Sequence, residues 1–345
     1  MSNTTTAIAP QPETAATAPV RSTRTGRRWE LRRSVEVLAL ILLILVFSLL
    51  NRDTFPTLVN LQAILDQASV PLIIGVGATF VILLGCIDLS VEGLMSACGV
   101  TFALLSANSR MTMDLGFWAV VVGVALGAAL GLANGLIHTL LRVPSFIVTL
   151  GMGFVGFGLS SVIYGTDSLP MLDEGGIKEW PAQQFLNLPY SFWLAAVVVV
   201  IGALVGRYTR LGRYTYAIGN NEQISRDNGV SVNRYKTIVF TIAGACSGLG
   251  GVLTTMQLGS SPAQIGAGVL FLTIAAVVIG GTSLGGGKGG VLRTAVGVLM
   301  LSVLNNGLLI SGVSVNIRTA VSGVILIVAI VVAAWPYRSR LRIVK

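Results

Sequence analysis

The chain has 345 residues, 53% of them hydrophobic and only 11% charged, and its mean hydropathy is +0.81. An ordinary soluble domain carries roughly 25% charged residues because its surface must face water, so this composition excludes one. The net charge of +9 would suit a nucleic-acid partner, unless the basic residues fall between apolar runs on one side only, where they report membrane topology instead.

Forty-one glycines fit a membrane protein, whose helices use small residues to bring backbones close together. Cys86, Cys98 and Cys246 sit in apolar or glycine-rich stretches without paired spacing, which argues against a disulfide framework or a metal site. A single histidine, His138, argues against a histidine-based metal centre.

From the N-terminus, residues 1–20 are rich in Ala, Thr and Pro and lack the apolar core of a cleavable signal peptide. Residues 1–34 read as a disordered, basic cytoplasmic tail. A helix needs about 20 mainly apolar residues to cross the hydrocarbon core. Such segments fall at 35–50, 62–84, 90–107, 117–140, 145–164, 191–206, 237–257, 266–282, 291–310 and 318–335. The fold class predicted is therefore an all-α polytopic membrane protein of about ten spans, with a transmembrane domain over 35–335 and a basic cytoplasmic tail at 336–345.

Ten spans place the loops alternately on two sides. One side collects the arginines of the N-terminal tail, Arg142, the basic run from Arg207 to Lys236, Lys288, Arg293 and the C-terminal tail. Only Arg52, Arg110, Lys178 and Arg318, of 23 Lys and Arg, remain for the other. The basic side is cytoplasmic by the positive-inside rule, which puts both termini there and removes any need for nucleic acid.

Two loops are long. The outer one, 165–190, carries Asp167, Asp173, Glu174, Glu179 and Trp180 and reads either as a solvated connector or as a docking surface for an external partner. The inner one, 207–236, is polar and basic, and part of it can form a short helix.

Three stretches carry more than composition. In GATFVILLGCIDLSVEG (77–93) an apolar run ends in Asp88, Ser90 and Glu92. Acidic groups at a membrane boundary are costly and often functional, yet Asp88 or Ser90 could equally cap the helix that follows. The second is TRLGRYTYAIGNNEQISRDNGVSVNR (209–234), and the third IGGTSLGGGKGG (279–290). A P-loop requires G-x-x-x-x-G-K-[ST]. Counting from Gly287-Lys288, Thr282 stands where the first glycine is needed and Gly289 where Ser or Thr is needed, so the loop reads as a tight turn and the chain has no P-loop of its own.

These stretches resemble the permease subunits of ribose-type bacterial ABC sugar importers. The matching pieces are CIDLS (86–90), TRLGRYTYAIGNNE (209–222), GVSVNRYK (229–236), IGGTSLGGGKG (279–289) and LNNGL (304–308). Cys86 and Glu92 depart from the family pattern, where a small residue or glycine is expected. The resemblance implies a non-enzymatic, multi-pass subunit of the bacterial inner membrane that pairs with a second permease copy around a central pore. It implies a cytoplasmic ATP-binding partner holding ATP and Mg, no cofactor on this chain, and a periplasmic sugar-binding protein outside. It also places a coupling helix for the ATPase at about Asn220–Gly229, with Asn220, Glu222, Arg226 and Gly229 as its residues. Glu222 and Arg226 stand four apart and can pair along one helix face.

A neutral sugar needs polar but mostly uncharged lining groups. Asp88, Ser90, Gln257, Asn305 and Asn306 are the candidates for the path, with Gln67, Ser69, Thr79 and Asn134 as further polar positions inside apolar runs. Such residues can also simply bond neighbouring helices. An ion-coupled secondary transporter is the alternative, and it would need ionisable groups deep in several spans. Here Asp66, Asp88 and Glu92 are confined to one region.

Overall fold

The computed structural model describes the backbone of residues 25–334. The first 24 residues of the predicted N-terminal tail and the predicted C-terminal tail at 336–345 lie outside that range. Helix α1 (Thr25–Leu50) starts ten residues before the predicted first span. A boundary at Val35 separates a small N-terminal unit from the unit Glu36–Lys345, which carries everything below.

In lipid the backbone must satisfy its own polar groups, and an α-helix does so within one segment. The chain accordingly folds into α2 (Leu58–Leu83), α3 (Val91–Leu105), α4 (Phe117–Leu140), α5 (Ser145–Tyr164), α6 (Tyr190–Tyr208), α7 (Arg210–Asn220), α8 (Glu222–Asp227), α9 (Val232–Leu258), α10 (Val269–Ile279), α11 (Val291–Ile310) and α12 (Val315–Ala334). The strand content among the described residues is one two-residue hairpin, Gln184–Phe185 with Leu188–Pro189, in the outer loop, and a few isolated bridges. Six helices, α2, α4, α5, α6, α9 and α11, are long and apolar enough to cross a membrane. Shorter apolar helices are Glu36–Leu50 of α1, α3 and α10. This is an all-α membrane protein.

Helices α2 and α9 form the centre. Ile73, Ile74, Phe80 and Val81 of α2 pack with Val239, Phe240, Ala243 and Leu253 of α9 in one buried core. Pro71 sits inside α2 without ending it. The α4–α9 seam is lined by glycine on both sides: a Cβ added at Gly244 would come within 2.7 Å of Gly131 Cα, and closer still to the Gly127 carbonyl oxygen. Outward, α5 exposes Ile147, Phe154 and Val162 as lipid-facing apolar groups do.

One arrangement occurs twice. The long helix α2 ends at Leu84-Gly85, Gly85 has φ +76°, residues 86–90 run irregularly, and the short α3 follows. The long helix α9 ends at Leu258-Gly259, Gly259 has φ +65°, residues 260–268 run irregularly, and the short α10 follows. The left-handed conformation at both glycines stops the long helix at low cost, as a glycine C-cap does. Helix α3 then packs on α4 and α5, and α10 on α11 and α12. Asn134-Gly135-Leu136 of α4 and Asn306-Gly307-Leu308 of α11 repeat one tripeptide.

Candidate functional site

Non-helical backbone at membrane depth survives only where protein or a water-filled cavity satisfies it. At the first break, Cys86 N–H donates to the Val81 carbonyl at 3.1 Å. Ile87 N–H donates to Ser145 Oγ at 3.2 Å and Leu89 N–H to Thr149 Oγ1 at 3.0 Å, both on α5. Asp88 is 8% exposed, and its Oδ1 accepts from Ser90 N–H at 2.8 Å and from the Ser90 hydroxyl at 2.6 Å. That hydroxyl has spent its proton, so it can only accept, and Asn134 Nδ2 donates to it at 2.9 Å. The network thereby fixes the orientation of the Asn134 amide. Its Oδ1 is left buried with no partner among the described residues. Asp88 and Ser90 thus both support the break and form a polar cluster inside it.

At the second break, Gly266 N–H donates to Ser96 Oγ at 3.1 Å. Glu92 Oε1 accepts from Gly268 N–H and Leu270 N–H, each at 3.0 Å. Those are amides at the start of α10, so a carboxylate on α3 caps the other short helix. The two broken segments therefore meet at their helix N-termini.

The other path candidates lie elsewhere. Gln257, in the last turn of α9, donates to Asp66 Oδ1 at 2.9 Å and to Ser69 Oγ at 3.1 Å, and Asp66 also accepts from Ser191 on α6. Gln257 is thereby a tie between α2, α6 and α9. Asn306 is 5% exposed with its Oδ1 buried and unpartnered, as at Asn134, and Asn305 is half-buried beside it. Neither hydrogen-bonds to the Asp88–Ser90 cluster. The structure thus brings Asp88 and Ser90 together and leaves Gln257, Asn305 and Asn306 apart from them. Asn134 belongs to the cluster, and the repeated Asn-Gly-Leu tripeptide was the signal that could have singled it out.

The inner loop forms two helices. Asn221 caps α8 by accepting from Ile224 N–H at 3.0 Å, and Gly229, at φ +78°, ends the turn beyond it. Asn220 closes α7 and faces the glycine-rich loop: its Nδ2 donates to the Tyr216 carbonyl at 2.8 Å and to the Gly287 carbonyl at 3.3 Å. Gly287 N–H in turn donates to the Leu83 carbonyl at 2.9 Å, and Tyr216 Oη to the Gly289 carbonyl at 3.0 Å. The loop at 280–290 is a packed turn that joins α2, α7 and α11.

Glu222 and Arg226 pair at 2.9 Å, and the second Glu222 oxygen accepts from Lys236 Nζ at 2.8 Å. Lys236 is on α9 and 8% exposed. Burial acts to raise the Glu222 carboxyl, but the hydrogen bond and charge of Lys236, then those of Arg226, outweigh it and hold the group below the usual carboxylate range. Lys236 is the functional candidate that sequence reading missed, because its role depends on how α8 packs on α9. Ile224 is 58% exposed on the outer side of α8.

Beside the 165–190 loop a cavity of about 710 Å³ is lined by Phe117, Trp180, Leu194, Val252 and Met256, with Asp114, Asp173 and Glu174 among its polar residues.

Residues 60–330 match the family described as the branched-chain amino acid transport system permease component. The chain is 36% identical to the ribose import permease protein RbsC of Escherichia coli strain K12, over 90% of this chain and 97% of that protein. It is 36% identical to the ribose import permease protein RbsC of Bacillus subtilis strain 168, over 85% and 90% respectively. With the D-allose transport system permease protein AlsC of Escherichia coli strain K12 the identity is 32%, over 88% and 91%. No solved structure matches the chain. Helices long enough to span a membrane, a short helix pair tied to the central span and a match across nearly its whole transmembrane unit agree: the chain belongs to this family of transport-system permease components.

Proposed function

We propose that this chain is the inner-membrane permease subunit of an ATP-driven importer for a sugar or sugar-like small molecule. The substrate class rests on the similarity to ribose and allose permeases over most of the chain. In this reading ten spans cross the membrane with both termini cytoplasmic, and two permease copies enclose the path. ATP and Mg reside on a cytoplasmic partner that does the hydrolysis, and an extracytoplasmic binding protein delivers the solute to the outer face.

The observation that carries the coupling role is the Glu222–Lys236 ion pair, because it joins a short exposed helix to a central span. ATP-driven closure of an ATPase dimer must move membrane helices, so a rigid element has to seat on it. Helix α8 offers the exposed Ile224 to such a partner and is anchored from behind by Lys236. Asp88 and Ser90 are the residues proposed to border the path, with Asn305 and Asn306 at the corresponding helix of the second half. Few charged groups lie within the spans, which suits an uncharged polyhydroxy solute.

The test is co-purification of the chain with its ATPase and binding protein, followed by proteoliposome uptake without any ion gradient. Substrate-stimulated ATP hydrolysis supports the reading, and uptake that requires a proton or sodium gradient overturns it. Glu222→Ala and Arg226→Ala together should leave membrane insertion intact and lower transport-coupled hydrolysis.

A further inference from the structure

The importer reading assigns no role to Glu92. Helix α3 is 15 residues long and α10 is 11, and both begin inside the bundle rather than at its rim. Gly85 lies against Gly286 of the inner glycine-rich loop. Gly93, next to Glu92, packs against Gly153, the ninth of the 20 residues of α5. From Glu92 to the end of α3 the rise is ~20 Å. Glu92 therefore sits near the middle of this broken span.

Each α-helix N-terminus carries roughly half a positive charge. Glu92 is in the first turn of α3 and accepts two amides at the start of α10, so one carboxylate faces two such ends. Glu92 takes part in none of the ion pairs Arg110–Asp167, Glu222–Arg226 and Glu222–Lys236, and a single oxygen, Oε1, accepts both amides. Asp88, the nearest other carboxylate in the chain, is turned onto Ser90. Gly268 and Ala267, on the α10 side of the contact, are exposed.

We propose that Glu92 is a specificity-determining residue for the charge of the transported solute. Its negative charge offsets the two positive helix ends, so the junction of the broken spans does not attract anions. Uncharged polyhydroxy solutes pass, and sugar acids or phosphorylated sugars are not concentrated there. With a neutral side chain at this position, two uncompensated helix ends would draw anions in. The inference rests on the importer reading for what passes the junction.

The test needs neither ATPase nor binding protein, so its failure is separable from failure of that reading. Ala267→Cys is introduced into the full chain in membrane vesicles, and labelling of the native chain, whose three cysteines are buried, is subtracted. Rates are measured with trimethylammonioethyl, sulfonatoethyl and hydroxyethyl methanethiosulfonate, which are cationic, anionic and neutral. Glu92→Gln keeps an oxygen for the two amides and removes the charge. The expected result is a cation-to-anion rate ratio that falls by at least about 3-fold in Glu92→Gln, the effect of one charge ~7 Å away in a water-like medium, with the neutral rate unchanged. An unchanged ratio overturns the proposal, and so does failure of all three reagents to react. Should Glu92→Gln not fold, the same ratio in the Glu92 chain must shift toward the anion as salt rises to 1 M. Salt independence would overturn it equally.

Discussion

The tether between α8 and α9 is asymmetric, and removing its members one at a time exposes that asymmetry. Glu222 holds Arg226 and Lys236, with side-chain exposures of 43%, 49% and 10% in that order. The Glu222–Arg226 pair is half in water, so Arg226→Ala should cost about 0.3–0.5 kcal/mol. Glu222→Ala leaves the Lys236 ammonium without its carboxylate in a nearly closed site. Breaking a fully buried pair costs about 3–5 kcal/mol. Water reaches the Glu222 side of this one, so the cost falls toward the ~1.5–3 kcal/mol of a hydrogen bond to a charged group. Taking ~2 kcal/mol, the detached state of α8 becomes about 30-fold more populated, against about 2-fold for Arg226→Ala. Amide hydrogen exchange in nanodiscs reads this at the Ser225 and Asn228 N–H groups, which bond within α8. Equal loss of protection in the two variants would refute the reasoning, as would full protection in Glu222→Ala. The pH dependence has a definite sign. Because the folded carboxyl titrates below its unfolded value, the tether is fully present above about pH 4.3, the usual glutamate value, and is lost as pH falls through the lowered folded value. Protection of α8 should therefore be flat through neutral pH and drop only in acid.

Gly244→Ala should lower thermal stability by about 1–3 kcal/mol, since the added methyl meets the backbone of α4, which cannot turn aside as a side chain could. Gly158→Ala, in the interior of α5 with open space around its Cβ position, is the control and should not lower the melting temperature of the detergent-solubilised chain, since Ala favours a helix over Gly. Asp88→Asn retains an oxygen for both Ser90 donors and should change stability by less than ~1 kcal/mol, whereas Asp88→Ala orphans them and should cost about 1–3 kcal/mol by the same melting assay.

The long helices were legible because their cause is local: about 20 apolar residues in a row have few other options in lipid. The Glu222–Arg226 pair was legible for the same reason, since four-residue spacing places two side chains on one face of any helix. The third member of that cluster was not, because Lys236 reaches Glu222 only once α8 has packed on α9. Gln257 shows the same limit: as a polar residue in an apolar run it was a candidate for the path, and that its amide donates to Asp66 and Ser69, 191 and 188 residues away, is set only by packing. The segment at 266–282 read as one short glycine-rich span, whereas helix starts only at Val269 and the residues before it are irregular. The Leu-Gly pairs at 84–85 and 258–259 were the available signal, but a glycine in a membrane helix more often serves close packing, as Gly244 does here, than a stop.

The three carboxylates inside apolar runs, Asp66, Asp88 and Glu92, join these observations. Sequence placed all three in one region and marked Asp88 and Glu92 as costly. It could not say which partner each takes, and the hydrogen bonds the structure shows at all three come from neutral groups. Asp66 takes a hydroxyl and an amide, Asp88 the hydroxyl and backbone of Ser90, and Glu92 the amides that open α10. Each is met by neutral dipoles, which can stabilise a carboxylate without adding a counter-charge. Carboxylates met this way need no lysine or arginine as counter-charge, a group that would bind anions and slow the passage of an uncharged solute. It also makes the breaks in α2–α3 and α9–α10 mutually dependent, since Glu92 belongs to one and caps the other.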